Sequence, residues 1–518
     1  MFFKSLKNNW VILSISLFNF AVLFIPNFFP YYGYFGDELY EIACSKRLAF
    51  GYVDHPPFAT FFLSIIRFFI GDSLFAIRLL PALAGGSLVF LIGVITKRLG
   101  GGIFAQGIAC LAASIVPFYL MMHGFYSLNA FESLLLTCCV LVLIIIIQDN
   151  KPKLWLIWGL IIGIGIMNKH TFVVFGIAML SGIMFTPWRK YFRNKYFWRG
   201  IFIACIVILP NVIWQIQNNF ISTEYYKASV DAIVPTPSLI LSIMPMIALG
   251  LNPLVFTICL LGMFYLFFSS EGKPYRVFGW MFLLSFLFFT LTNINRPDRA
   301  APVYPILMAG GSIILERWLN EFHKDWLKTF IIFIFFIGGI FSFLISLPVL
   351  PPDVLQKYSD MIELRNQESK EGKLLMSVIN HHHSLFTNRL GWPSMVEDVA
   401  AVYHHLSAED KEKAVILSSH CAEAAALEFY GSQYNLPPVI SVDNNYRLWG
   451  YGKATGEVMI TIGGNKDVLK SIFEKVEVSG IISPCTFCLR YQESTPIYVC
   501  RKMNRPMTDF FVAHIRPY

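Results

Sequence analysis

Apolar runs of helical length, almost free of charge, recur along the first two thirds of the chain. They lie near residues 10–29, 73–96, 102–122, 127–147, 154–168, 170–187, 200–217, 253–270, 277–293, 300–315 and 329–347. About twenty consecutive apolar residues cross the hydrocarbon core of a bilayer. The pattern therefore predicts a polytopic α-helical membrane protein with about 11 transmembrane helices. Residues 239–250 are apolar too, but short and cut off from the next run by Asn252-Pro253. They predict a re-entrant or interfacial segment.

Two stretches break the pattern. Residues 30–72 form a long first loop, with an amphipathic piece at Phe58–Ile70 suited to the bilayer surface. Residues 348–518 are polar, mixed in charge and long enough for a domain of their own. There, Ala414–Ser418, Pro438–Val442, Glu457–Ile462 and Ile497–Arg501 read as strands, and Ala422–Tyr430 and Lys466–Lys475 as helices. That alternation predicts a small α/β domain. The expected division is 1–347 for the membrane part and 348–518 for the soluble part.

Composition narrows the class. Of 518 residues, 56% are apolar and only 14% charged, with a mean hydropathy of +0.57. Soluble domains carry about a quarter charged residues, so a water-soluble enzyme is excluded, as are a disordered chain and a small disulfide scaffold. The net charge of +8 does not mark a nucleic-acid surface, because the basic residues sort by membrane side. With the N-terminus inside, the cytoplasmic connections hold sixteen Lys and Arg, from Lys4 and Lys7 to Lys324 and Lys328. The outer connections before the tail hold seven: Lys46, Arg47, Arg67, Lys169, Lys227, Arg296 and Arg299. This is a positive-inside bias, and an odd number of spans places the tail outside. No small-residue cleavage site follows the first run, which reads as a retained anchor.

Candidate chemistry concentrates in the first loop, in Tyr34-Phe35-Gly36-Asp37-Glu38-Leu39-Tyr40-Glu41 and Gly51-Tyr52-Val53-Asp54-His55-Pro56-Pro57. Carboxylates beside aromatics at a bilayer surface are costly unless they have a partner or a task. Asp37 and Glu41, four apart, are expected on one helical face. The plain alternative is a helix start, with Asp37 as N-cap and Glu38 on the positive end. His55 beside Asp54 suits a metal, a sugar hydroxyl or an ordinary hydrogen bond, although a usual zinc site needs three or four ligands. His381-His382-His383 has no accompanying ligands and reads as solvated linker. Cys485-Thr486-Phe487-Cys488, with Cys421 and Cys500, has a zinc or redox look, but outside the cell it favours a structural disulfide.

The loop resembles the first periplasmic loop of GT-C glycosyltransferases. It is most similar to the bacterial branch of the protein-O-mannosyltransferase and aminoarabinose-transferase superfamily. The carriers are the acidic pair after the first span, the following Tyr, and Gly with His-Pro-Pro before an amphipathic segment. Further along, Ser73-Leu74-Phe75-Ala76-Ile77-Arg78-Leu79, Gly163-Ile164-Gly165-Ile166-Met167-Asn168-Lys169 and, in the tail, Asn444-Asn445-Tyr446-Arg447-Leu448-Trp449-Gly450 continue it.

The resemblance implies a GT-C fold and transfer, with inversion, of a sugar from a polyprenyl-phosphate donor. The acceptor would be lipid A or another envelope glycolipid, with a protein hydroxyl as the alternative. A transporter or flippase for lipid-linked sugars is the rival from another class. Asp37 falls on the family's catalytic carboxylate, with Glu38 in support. Tyr40, Asp54, His55, Asn129, Glu132, Lys169, Arg296 and Arg299 are the expected substrate-binding residues. Asn129 stands where the family has a second acid, and Asn cannot act as a base. The lipid phosphate requires fixed positive charge, for which Lys169 comes first, then Arg296 and Arg299, with Arg47 and Arg67 behind. No cofactor is assigned, and a divalent metal is left open. The implied setting is the bacterial inner membrane, with membrane lipids as surroundings, the site and tail in the periplasm, and no nucleic acid.

Overall fold

The computed structural model describes residues 9–29, 31–230, 237–292, 297–323, 325–354, 357, 384–491 and 493–514. Arg296 and His381-His382-His383 lie outside the described residues. Every apolar run expected to be a span is helical. Among the described residues, six helices are long and apolar enough to cross a membrane: Trp10–Phe28, Leu74–Arg98, Leu128–Asp149, Lys195–Gln217, Lys273–Thr292 and Asp325–Ser346. The number rises to nine if each of three bent pairs is one span. These helices support the expected polytopic helical membrane fold. Of the remaining expected runs, Leu154–Asn168 has only 15 residues, and Tyr304–Glu321 ends in a charged turn holding Glu316, Arg317 and Glu321.

The segment before Asn252-Pro253 is a helix, Pro237–Leu251, and it meets Pro253–Phe268 at a bend of 107°. Asn252 makes the corner with φ at 72° and caps the second helix through Leu254 N, and its amide donates to Ser342 Oγ at 3.0 Å. Pro253 suits the first helical turn, where its missing N–H costs nothing. The sequence signal for an interrupted segment thus corresponds to a real break.

Helix Pro253–Phe268 packs against Tyr304–Glu321 through glycines. A Cβ on Gly262 would lie 2.0 Å from Leu307 O, and one on Gly311 1.9 Å from Ile258 O. Such backbone approach is how apolar helices associate when no water drives them together. Gly311→Ala must therefore push the helices apart, with an expected loss of about 1–3 kcal/mol. Thermal melting in detergent checks this against Gly176→Ala, where the added methyl meets nothing within 4 Å.

The tail forms a five-stranded sheet from β1 (Ala414–Ser418), β2 (Val439–Ser441), β3 (Val458–Ile462), β4 (Phe473–Ile482) and β5 (Thr495–Met503), in the order β2-β1-β3-β5-β4. β1 runs parallel to β2 and β3, while β5 runs antiparallel to β3 and β4. The helix expected over Lys466–Lys475 stops at Ile472, because Phe473 begins β4. That strand escaped the sequence reading: it is a mostly exposed edge strand carrying Glu474, Lys475 and Glu477, and charge on an edge hides the alternation that marks strands. A disulfide joins Cys485 and Cys488, while Cys421 and Cys500 are buried thiols.

The tail is seated on the first loop, and a single apolar cluster joins them, including Leu39, Tyr40 and Ala43 from the loop and Trp392, Ala422 and Leu427 from the tail. Polar bonds fix the register. Val53 N donates to Asn445 Oδ1 at 3.1 Å, Asn445 N donates to Tyr40 OH at 3.1 Å, and Gly33 N donates to Arg389 O at 3.1 Å. At the rim, Arg47 forms a forked ion pair with Glu428 at 2.8 and 3.0 Å and stacks on Trp449 at 4.3 Å.

Candidate active site

The acidic run of the first loop folds as helix Gly36–Ser45. Its start is secured by Glu38, whose Oε2 accepts from Phe35 N at 2.8 Å, satisfying a donor that a helix end leaves open. Glu38 is wholly buried and paired with Arg78, at 2.7 and 2.9 Å, and its Oε1 also accepts from Tyr126 N. Burial raises its carboxyl, but the charge and hydrogen bonds of Arg78 outweigh that and hold it below the ordinary value, with help from Arg389. Glu38 is therefore an ionised structural anchor joining the loop, the second span and the turn before the fourth.

Glu41 is buried as well. It accepts from Thr60 Oγ1 at 2.8 Å and lies 3.3 Å from His55 Nε2. Asp37 and Glu41 lie on one helix, four apart as expected, but Glu41 is buried whereas Asp37 is exposed. Of the acids at 37, 38 and 41, only Asp37 is displayed, in the first turn, where the helix dipole favours the anion.

Asp54 and His55 are also in the site's neighbourhood. Asp54 Oδ1 accepts from Tyr40 OH at 3.0 Å and lies 3.7 Å from His55 Nε2. The His55 ring is buried, with Nδ1 at 2.9 Å from Pro56 O, so it is a core histidine between two acids. Burial lowers its pKa, but the charges of Glu41 and Asp54 outweigh this and raise it above 6.5. The sign follows directly. The protonated ring contributes stability that is full below 6.5 and is lost as pH rises through the higher folded value. Thermal stability of the wild type in detergent should fall over that interval, and the slope should flatten in His55→Gln.

The fourth-span residues come together. Lys169 Nζ donates to Asn129 Oδ1 and Glu132 Oε2, both at 2.8 Å, and Thr171 Oγ1 donates to Glu132 Oε1 at 3.1 Å. Lys169 thus pairs its charge with Glu132, a contact that the sequence did not announce. Arg67 is bound to Asp72, Ser45 and Ile42 O, and Arg47 to Glu428, so both hold the loop and tail in place.

Helix Ile221–Val230, absent from the sequence reading, supplies Tyr225 and Tyr226. Tyr226 OH donates to Asp54 O at 3.1 Å. Burial raises the Tyr225 hydroxyl, and Asp54 and Asp37 add to that while Arg299 opposes it. Tyr226 is raised in the same way by burial, Asp54 and Glu132, again against Arg299. These tyrosines therefore lie in the field that joins Asp37, Asp54, Glu132 and Arg299, residues expected from distant parts of the chain. Sequence reading also missed two arginines. Arg78 was legible as a lone charge in an apolar span. Arg389 had no signal: it is 3% exposed, lies over Phe125 at 5.6 Å, and burial with the nearby Arg78 brings its pKa down to about 9.

Comparison with known proteins now bears on the arrangement. Residues 54–214 match the family described as dolichyl-phosphate-mannose-protein mannosyltransferase. The structure of ArnT from Cupriavidus metallidurans superposes with a TM-score of 0.59 at 13% identity, covering 95% of this chain and 98% of that one, both in the apo state and bound to undecaprenyl phosphate. The chain has the fold of ArnT, a GT-C fold. Arabinofuranosyltransferase AftD from Mycobacteria is also similar, with a TM-score of 0.50 at 10% identity over 97% of this chain and 40% of that one. No curated protein sequence matches the chain. The shared fold takes in the membrane bundle, the first-loop helices and the terminal sheet.

Proposed function

We propose that this protein is a membrane glycosyltransferase that moves a sugar from a polyprenyl-phosphate donor to an acceptor at the periplasmic face of the bacterial inner membrane, with inversion. The observation that carries the reading is the selective display of Asp37, the one exposed acid of its run, in a field shared with Asp54, Tyr225 and Arg299. An inverting transfer to a hydroxyl needs a carboxylate that takes the proton as the new bond forms. For an acceptor that is already anionic, the same group orients it. Arg299 and Lys169 are the cations for the departing lipid phosphate, and Tyr40, Asp54, His55, Asn129 and Glu132 line and order the site, Asn129 and Glu132 through Lys169. The likeness to ArnT, solved with undecaprenyl phosphate, supports the donor class. The proposed acceptor is an envelope glycolipid, lipid A among them, with a protein hydroxyl as the alternative.

Native mass spectrometry of the detergent-purified chain tests donor recognition. Undecaprenyl phosphate is expected to stay bound where the uncharged polyprenol does not, and Arg299→Ala should weaken that binding. Equal retention of both lipids, or of neither, would contradict the reading.

A further inference from the structure

We propose that His420, Cys421 and Asp443 hold a divalent cation of the zinc type in the tail domain. Their ligand atoms all lie within 4.8 Å of one another. Around zinc, with bonds of about 2.0–2.3 Å, tetrahedral donors stand roughly 3.5 Å apart, so a contraction of about an ångström closes the set. One nitrogen, one sulfur and one carboxylate oxygen make a donor set that suits zinc and leaves a fourth position open.

The fold builds the site from two neighbouring loops. β1 and β2 pair in parallel through Ile416 with Val439 and Ser418 with Ser441. His420 and Cys421 follow β1, and Asp443 follows β2, so the three meet beyond the carboxyl ends of parallel strands, where α/β sheets place their ligands. Supporting bonds already orient the donors. Cys421 N donates to Asp443 Oδ2 at 2.8 Å, fixing that carboxylate, and the Asn444 amide donates to Cys421 Sγ at 3.3 Å. An N–H aimed at sulfur stabilises a thiolate ligand. Ala422 N donates to His420 Nδ1 at 3.2 Å, a bond that ligation displaces from the ring's lone pair.

The sulfur of Cys421 is buried, and binding of a divalent ion there releases the thiol proton. This inference concerns the tail and does not depend on the transfer reaction.

The test uses the full chain in detergent, stripped by a chelator and titrated with Co²⁺ alone. One equivalent is expected to bind with a thiolate-to-cobalt charge-transfer band, displaced by Zn²⁺. The band should vanish in Cys421→Ser and persist in Cys500→Ser, and Asp443→Asn should weaken binding by at least about tenfold. Because Cys421 is buried, metal-free melting of Cys421→Ser is compared with the wild type, and His420→Ala gives a second reading if that variant fails to fold. Absence of the band in the wild type overturns the proposal, as does its survival in Cys421→Ser or in His420→Ala. Polyprenyl-phosphate binding, measured on the same samples, reports separately on the transferase reading.

Discussion

Replacing Asp37 by Asn is expected to lower sugar transfer by about 10²–10⁴-fold, the usual contribution of a positioned proton acceptor. The substitution keeps size and hydrogen-bonding shape but removes the charge and the basic oxygen. Asp37 is exposed, and Glu38 secures the helix start. Folding and donor binding should therefore remain near wild type, and the loss should fall on turnover. Asp37→Glu, which retains the carboxylate but displaces it by a methylene, should recover part of the rate. Transfer assayed with purified protein at matched amounts separates these outcomes. A rate equal to wild type in Asp37→Asn would remove the carboxylate from the chemistry.

The second large effect is on stability. Glu38→Gln should destabilise the protein by about 3–5 kcal/mol, because it leaves a buried guanidinium without its counter-charge. Arg78 also donates to Asn27 Oδ1 at 3.1 Å and to Gly33 O at 2.8 Å, so the pair ties together the first span, the loop and the second span. Removing both charges in Glu38→Leu with Arg78→Met should cost less than the single change, since no unpaired charge remains. Recovery stays incomplete, because Phe35 N and Tyr126 N lose their acceptor. Melting of the single and double variants in detergent checks this. A Glu38→Gln protein with unchanged stability but lost transfer would instead return Glu38 to the chemistry.

Much of this architecture was legible in the residue pattern. The apolar runs located the helices, Asn252-Pro253 located a break, and the alternation in the tail located four of its strands. What escaped depends on burial rather than on local sequence. Nothing in the spacing of Asp37, Glu38 and Glu41 tells which acid is displayed; that follows from Arg78, forty residues after Glu38, and from Thr60 and His55. Helix Ile221–Val230 is short and polar and follows directly on a span, so no apolar period announced its tyrosines. Lys169 could be placed at a helix end from sequence, but not its double bond to Asn129 and Glu132. His420, Cys421 and Asp443 meet only because β1 and β2 are neighbours, which spacing alone does not encode.

The central claim is that this chain adds a sugar to an envelope acceptor through Asp37. Mass spectrometry of lipid A and envelope glycoproteins tests it most directly, in a deletion strain complemented with either the wild type or an equally abundant Asp37→Asn. The account predicts a sugar-sized mass increment restored by the wild type alone, which also names the acceptor and the sugar. Equal restoration by both proteins would contradict it.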